Sequence, residues 1–169
     1  MTKTSEVFIH HYRRKYSKPE NPPAWMSLEL ASFSQLSILY KNLRSCEAHK
    51  AIAQNFGLHS KVLSSWLETL SFIRNSCAHH SRLWNRKLPK PTLWPDRINY
   101  NWLNEKPNTD KLNRLYPALG SAAYLLQRLA THDDFPEKLK KLILDFPTVP
   151  LGYMGFPSMW EEEELWSTT

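Results

Sequence analysis

The chain lacks most of what would assign it to a nucleotide-, ester- or membrane-handling class. Only four glycines occur in 169 residues. None belongs to a Gly-rich phosphate loop or a Gly-x-Ser-x-Gly elbow, so nucleotide hydrolysis and esterase chemistry lack their residues. Two cysteines, Cys46 and Cys77, are too few for a disulfide framework and fit a reducing cytoplasm. Each is expected to be a small buried apolar residue. No apolar run approaches the ~20 residues that span a bilayer. The opening Met-Thr-Lys-Thr-Ser-Glu has no apolar segment of a secretory signal. Metal-ligand spacing is missing as well. His10-His11 and His79-His80 are adjacent pairs, whereas helical ligands come at i, i+3 or i+4, and no acid lies close to the second pair in sequence. No metal or other cofactor is implied.

What remains reads as helix. The length fits one domain over residues 1–169, and no segment has the strand alternation of a sheet. Residues 1–24 interleave His10, His11, Arg13, Arg14 and Lys15 with Tyr12 and Tyr16, and end in a proline-rich turn. A helix is predicted from about Ser27 to Leu43, with Leu28, Phe33, Leu36, Leu39, Tyr40 and Leu43 at helical spacing. A short one from about Ser45 to Phe56 should stop at Gly57. Ser60 is the expected N-cap of a third, whose Val62, Leu63, Trp66, Leu67, Leu70 and Ile73 form one apolar stripe. Residues 87–109 are loop-like, punctuated by Pro89, Pro91, Pro95 and Pro107. Asp110 is expected to cap a helix running to about Thr131, with Leu112, Leu115, Leu119, Leu126 and Leu129 inward. Pro117 should either bend that helix or set its start later. Asp134 and Pro136 open a last helix to about Phe146, and the tail beyond it reads as irregular. The expected fold is an all-α bundle with proline-rich loops and an irregular C-terminal tail.

The charge is unevenly spread. Residues 1–50 hold eight lysines and arginines against four acids, and residues 51–100 hold seven against two. Residues 101–169 reverse the sign, with seven against ten. The positive excess surrounds the segment Arg74 to Arg86, which has three arginines, two histidines and two asparagines in thirteen positions. A positive field around a site is what a polyanion needs, although solvated lysines alone give the same total.

That segment carries chemistry. Arginine grips phosphate with a planar fork that stays charged at any biological pH. Histidine, with an unperturbed pKa of ~6.5, both gives and takes protons near neutrality. Together they suffice to cut RNA without a metal: the ribose 2′-OH is deprotonated, attacks phosphorus, and the 5′-oxygen leaves with a proton. On a helix turning about 100° per residue, Asn75 and His79 share a face, while Arg74 lies about 140° from His79. Arg74 must therefore reach round, or the helix must break near His79. The assignment is His79 as general acid/base, Arg74 as phosphate clamp and Asn75 as orienter, either of the imidazole or of a phosphate oxygen. His80 is expected to be a supporting or packing residue. Arg82 and Arg86 either track a phosphate backbone or are solvated, and Trp84 is expected in the core.

Arg74-x-x-x-x-His79, with polar Asn75 after the arginine, resembles the Arg-x4-6-His signature of the HEPN superfamily, whose active members are metal-independent ribonucleases. The longer run to Arg86 resembles the Abi-like family of bacterial phage-defence proteins, of the AbiD/AbiF type. Phe8-Ile9-His10-His11-Tyr12, Lys15-Tyr16, Pro22-Pro23-Ala24-Trp25-Met26, Leu39-Tyr40-Lys41-Asn42-Leu43 and Met154-Gly155-Phe156-Pro157 with Trp160 resemble other elements of that family. Members usually have another segment before the Phe-x-x-His-Tyr region; this sequence begins almost at that region, as either a short or split member or a fragment of a longer chain would. The resemblance implies a HEPN-like bundle and an endoribonuclease of phage defence that leaves a cyclic phosphate. It also implies a homodimer with a composite site, and an RNA or protein antitoxin as a plausible partner. His80, Arg82 and Arg86 would then contact RNA. The competing class is a non-catalytic RNA- or protein-binding helical module.

Overall fold

The computed structural model describes residues 6–43, 46–129 and 134–166. Among them the secondary structure is entirely helical, in seven α-helices and three 3-10 turns with no strand. The expected helix start at Ser45 and end at Thr131 lie outside the described residues. No described helix is long and apolar enough to cross a membrane.

Helix α1 (Val7–Lys15) forms where basic and aromatic residues interleave without a marked helical signal. It buries Ile9 and Tyr12, and the Tyr12 hydroxyl donates to the carbonyl of Pro19 at 3.0 Å, tying the proline-rich turn back onto the helix. The single helix expected over 27–43 is two: α2 (Ala24–Glu29) and α3 (Phe33–Asn42). The break comes from Ser32. Its Oγ accepts from the Gln35 amide while the Gln35 side chain accepts from the Ser32 amide, a reciprocal capping box that starts α3 afresh. Leu28 and Leu39, expected inward, are exposed, and Tyr40 with Ser37 forms the buried face.

Helix α4 (Glu47–Asn55) ends as expected at Gly57, whose φ of 64° allows a Schellman closure. There the Gly57 amide bonds the Gln54 carbonyl and the Leu58 amide bonds the Ala53 carbonyl. Helix α5 (Ser60–Ala78) is capped by His59, one residue earlier than expected, because its Nδ1 accepts from the Lys61 amide at 3.2 Å. Its stripe buries Val62, Leu63 and Trp66, with Leu67 and Leu70 packed partly against the core.

Helix α6 (Leu115–Leu129) starts later than Asp110, with Pro117 in its first turn, where a missing N–H costs nothing. Its buried face is Tyr116, Gly120, Ala123 and Tyr124, so Leu126 and Leu129 point to solvent instead of inward. Helix α7 (Phe135–Asp145) has Asp134 at its N-cap position and Pro136 in its first turn. The tail is no loose appendage. Three 3-10 turns, Leu151–Met154, Trp160–Glu162 and Glu164–Trp166, bury Phe156, Trp160, Leu165 and Trp166 in the main core.

Helix α5 is the axis of this arrangement, packed against α3, α4 and α6, while α7 and the last turn lie against α6. Trp66 stacks on Trp102 at 4.7 Å and meets Tyr124 edge-on at 5.4 Å. Burying such aromatic rings dominates core energetics. The proline-rich loop before α6 thus contributes core through Trp102 and Leu103 as well as connection.

Candidate functional site

The apolar stripe of α5 ends where Arg74 begins, and the helix stops within one turn. His79 is its C-cap residue, with φ −97° and ψ 16°. The amide of His80 bonds the Cys77 carbonyl at 3.0 Å and that of Ser81 bonds the Ser76 carbonyl at 2.8 Å. These two bonds make a second Schellman closure. His80 occupies the position that glycine usually fills, in the left-handed region at φ 51°. The helix therefore breaks at His79, one of the two ways in which Arg74 and His79 can serve one site.

Arg74 is exposed, and its Nη1 donates to Asn75 Oδ1 at 3.2 Å. Asn75, half-buried, donates from Nδ2 to Ser34 Oγ at 2.9 Å. Ser34 in turn shares a hydrogen bond of 2.7 Å with Ser71 Oγ. Asn75 thus orients the guanidinium and anchors it to α3. Its hydrogen bond with His79 joins the two backbones, the His79 amide donating to the Asn75 carbonyl at 3.0 Å. The His79 side chain is exposed, and among the described residues its imidazole has no hydrogen-bond partner.

The remaining positions divide. His80 is exposed, so it is not a packing residue: the helix that would have turned it toward a neighbour has already ended. Arg82 is exposed in the loop after the helix, and Arg86 is half-buried, with its guanidinium 4.9 Å from the Phe72 ring. Arg86 Nη1 also donates to the Arg82 carbonyl at 3.4 Å, so the pair is linked within a loop. Trp84 is 37% exposed and meets Tyr153 edge-on, a rim position instead of the expected core one. Cys46 and Cys77, both expected buried, are exposed; Cys77 falls on the solvent side of α5, off the apolar stripe.

Two residues at this end were not singled out in the sequence, Ser34 and Phe72. Ser34 lies 41 positions before Asn75, and nothing local marks a serine as the anchor of a distant amide. A separate cluster lies further up α5. Glu68 accepts from Lys90 Nζ at 2.5 Å and from Lys41 Nζ at 3.4 Å, joining α3, α5 and the proline-rich loop. The hydrogen bond from Lys90, followed by Lys41, holds the Glu68 carboxyl below its ordinary range. Among the described residues, no three His, Cys, Asp or Glu side chains are grouped as metal ligands would be.

The sequence model of the family described as Abi-like protein matches residues 1–85, just over half of the 169-residue chain. No curated protein and no solved structure matches the chain. The chain belongs to the Abi-like family.

Proposed function

We propose that this Abi-like chain is a metal-independent endoribonuclease of the HEPN type, acting in abortive infection or as a toxin. The family supports the defence role. The nuclease reading is carried by one observation: the Arg74 guanidinium is held by Asn75, itself anchored to Ser34, at the helix end that presents His79 to solvent. An always charged fork at the same helix end as an accessible imidazole suits a phosphodiester. In this reading Arg74 neutralises the non-bridging oxygens as charge builds on phosphorus, and His79 moves the proton. The 2′-oxygen forms a bond to phosphorus, the bond to the 5′-oxygen breaks, and the products carry 2′,3′-cyclic phosphate and 5′-OH ends. DNA, lacking the 2′-OH, is spared.

One chain supplies one histidine, whereas the reaction uses both a base and an acid. A two-fold homodimer that brings two His79 side chains to one cleft supplies both. Mixing Arg74→Ala chains with His79→Ala chains should then restore some activity, and a strictly monomeric yet fully active protein would rule out the composite site. The second reading, a non-catalytic RNA- or protein-binding module, draws on the unpartnered imidazole, which nothing in the described chain orients. The decisive experiment incubates purified protein with labelled RNA in EDTA, wild type beside His79→Ala. Removing a positioned proton-transfer group should cost roughly 10²–10⁴-fold in rate. Undiminished cleavage by His79→Ala sinks the assignment, and RNA bound but never cut by the wild type favours the module.

A further inference from the structure

Three hollows follow one another along the flank of α5 away from the Arg74 end. The first, of about 280 Å³, is lined by Ser34 and Phe72, the residues that touch Asn75 and Arg86, and reaches Glu68 and Lys90. The second, of about 460 Å³, shares Glu68 and Lys90 with the first and adds Lys41 and Lys61. The third, of about 590 Å³, shares Lys61 with the second and ends at Arg97 and Lys106. Shared walls make the three one interrupted groove. It contains five lysines and arginines against two acids, Glu68 and Asp96, and Glu68 is already occupied by two of the lysines.

We propose that this groove holds a single RNA strand along α5, with Lys61, Arg97 and Lys106 gripping phosphates far from the cleavage end. The proposal rests on the RNA reading of the Arg74–His79 end for its ligand. Its own support is the alternation of cationic rims with recesses walled by Phe72 and Ile38, then Leu93, then Trp94. Single strands are bound in this way, phosphates on a basic track and unstacked bases against apolar or aromatic surfaces. A duplex has no bases to spare for such recesses. Lys61, Arg97 and Lys106 are exposed and have no ion pair among the described residues, so their charge is available to a ligand. The positive end of the α5 dipole, next to Lys61, adds to the same field. Nineteen residues of α5 span about 28 Å, which a strand covers with on the order of five to eight nucleotides.

The test uses the full chain and uridine oligonucleotides bearing 2′-O-methyl groups, which bind without being cut. Affinity should rise steeply between lengths of about four and about eight nucleotides. The triple variant Lys61→Ala/Arg97→Ala/Lys106→Ala should melt like the parent, since these side chains anchor nothing in the fold. It should lose about tenfold or more in affinity for the longer oligonucleotide, and its salt dependence should flatten by about two in the log–log slope. A charge-matched control at Lys138, Lys140 and Lys141 of α7 should bind like the parent. The proposal is overturned if the triple variant binds the longer oligonucleotide with the parent's affinity and slope. It is equally overturned if poly-glutamate, an acidic polymer without phosphate or bases to mark it as a nucleic acid, fails to be outcompeted by RNA. Binding that depends on the three cations, in a parent that never cuts unmodified RNA, supports the groove while sinking the nuclease reading.

Discussion

Stability and activity should separate along α5, and substitutions at Trp66 within it and at its C-cap residue His79 measure it. Trp66 is fully buried, its ring faces Trp102 and Tyr124, and its Nε1 donates to the Leu93 carbonyl at 2.9 Å. Truncating a buried tryptophan to alanine costs about 3–5 kcal/mol through lost transfer energy and the cavity left behind. The orphaned Leu93 carbonyl adds little, because Leu93 is 44% exposed and water can replace the indole. For a chain of this size about 4 kcal/mol corresponds to a fall in Tm of about 10–15 °C. Leu70, packed only partly against the core, should cost less, about 2 kcal/mol. His79→Ala removes an exposed ring without a hydrogen-bond partner, at a φ and ψ that alanine tolerates, so its Tm should stay within about 2 °C of wild type. Circular dichroism melts check the stabilities, and RNA cleavage at a temperature where both proteins are folded checks the activities. In cells, His79→Ala should accumulate normally while losing growth inhibition. If His79→Ala instead melts as early as Trp66→Ala, the histidine is a structural residue and the nuclease reading loses its proton carrier.

The strained His80 offers a second measurement: His80→Gly removes the Cβ that opposes φ 51° and should stabilise the chain by about 1 kcal/mol in thermal or urea melts, whereas a loss would mean that the imidazole holds the turn. At Gly120 the sign reverses, because an added Cβ meets Leu103 Cδ1 at 2.8 Å and Cγ at 3.2 Å, and Leu103 is itself buried. Gly120→Ala should therefore destabilise by about 1–2 kcal/mol despite the better helix propensity, and a stabilised variant would show that the core yields there. Burial raises the pKa of Glu163, which accepts from the Asn104 amide at 3.3 Å, so the folded chain holds this proton more tightly than the unfolded one. Its contribution to stability accordingly falls as pH rises from the ordinary carboxylate range through the raised value. Glu163→Gln should remove that decline and melt higher than wild type at neutral pH, and an unchanged pH profile in urea titrations would refute the assignment.

The residues that make local structure were legible in the sequence, and those that meet across the fold were not. Gly57 ended α4 because only a residue at ease with positive φ closes that turn, and Pro117 pushed the start of α6 downstream because a proline belongs in a first turn. The stripe of α5 follows from the 3.6-residue spacing, and with it the place of the motif at the helix's end. Ser32 does not stand out as a break, because the apolar spacing runs through it from Leu28 to Tyr40, and a capping box interrupts a helix without disturbing that spacing. Leu126 and Leu129 face solvent for a related reason: the inner face of α6 is built mainly of small residues and tyrosines with Leu125, and it lets Leu103 and Trp102 come close at Gly120. At the site, the Arg74–Asn75 pair was within reach, one residue apart, but Ser34 was beyond any local rule. The C-terminal tail read as irregular, and irregular it is, yet its four large apolar residues complete the core.

The family match stops at residue 85, just past the motif, and the physics of the site does not. Every aromatic partner of Trp66 lies beyond that point, in Trp102 and Tyr124, and so does the carbonyl of Leu93 that takes its indole proton. Tyr124 reaches back to close α4, its hydroxyl donating to the Phe56 carbonyl at 2.7 Å. Arg114 does the same for the loop after the motif, donating to the Asn85 carbonyl at 3.3 Å and its Oδ1 at 2.9 Å, where Asn85 has a φ of 52°. The matched part therefore contains Arg74, Asn75 and His79 together with the α3 serine that anchors Asn75, and α5 packs there on α3 and α4, while the remainder adds α6 and the aromatic surface that covers Trp66. Two of the three cations assigned to the far end of the groove, Arg97 and Lys106, also belong to that remainder. On the nuclease reading proposed above, the chemistry would reside in the first half, and the second half would set how Trp66 is held and how far the proposed groove follows a strand.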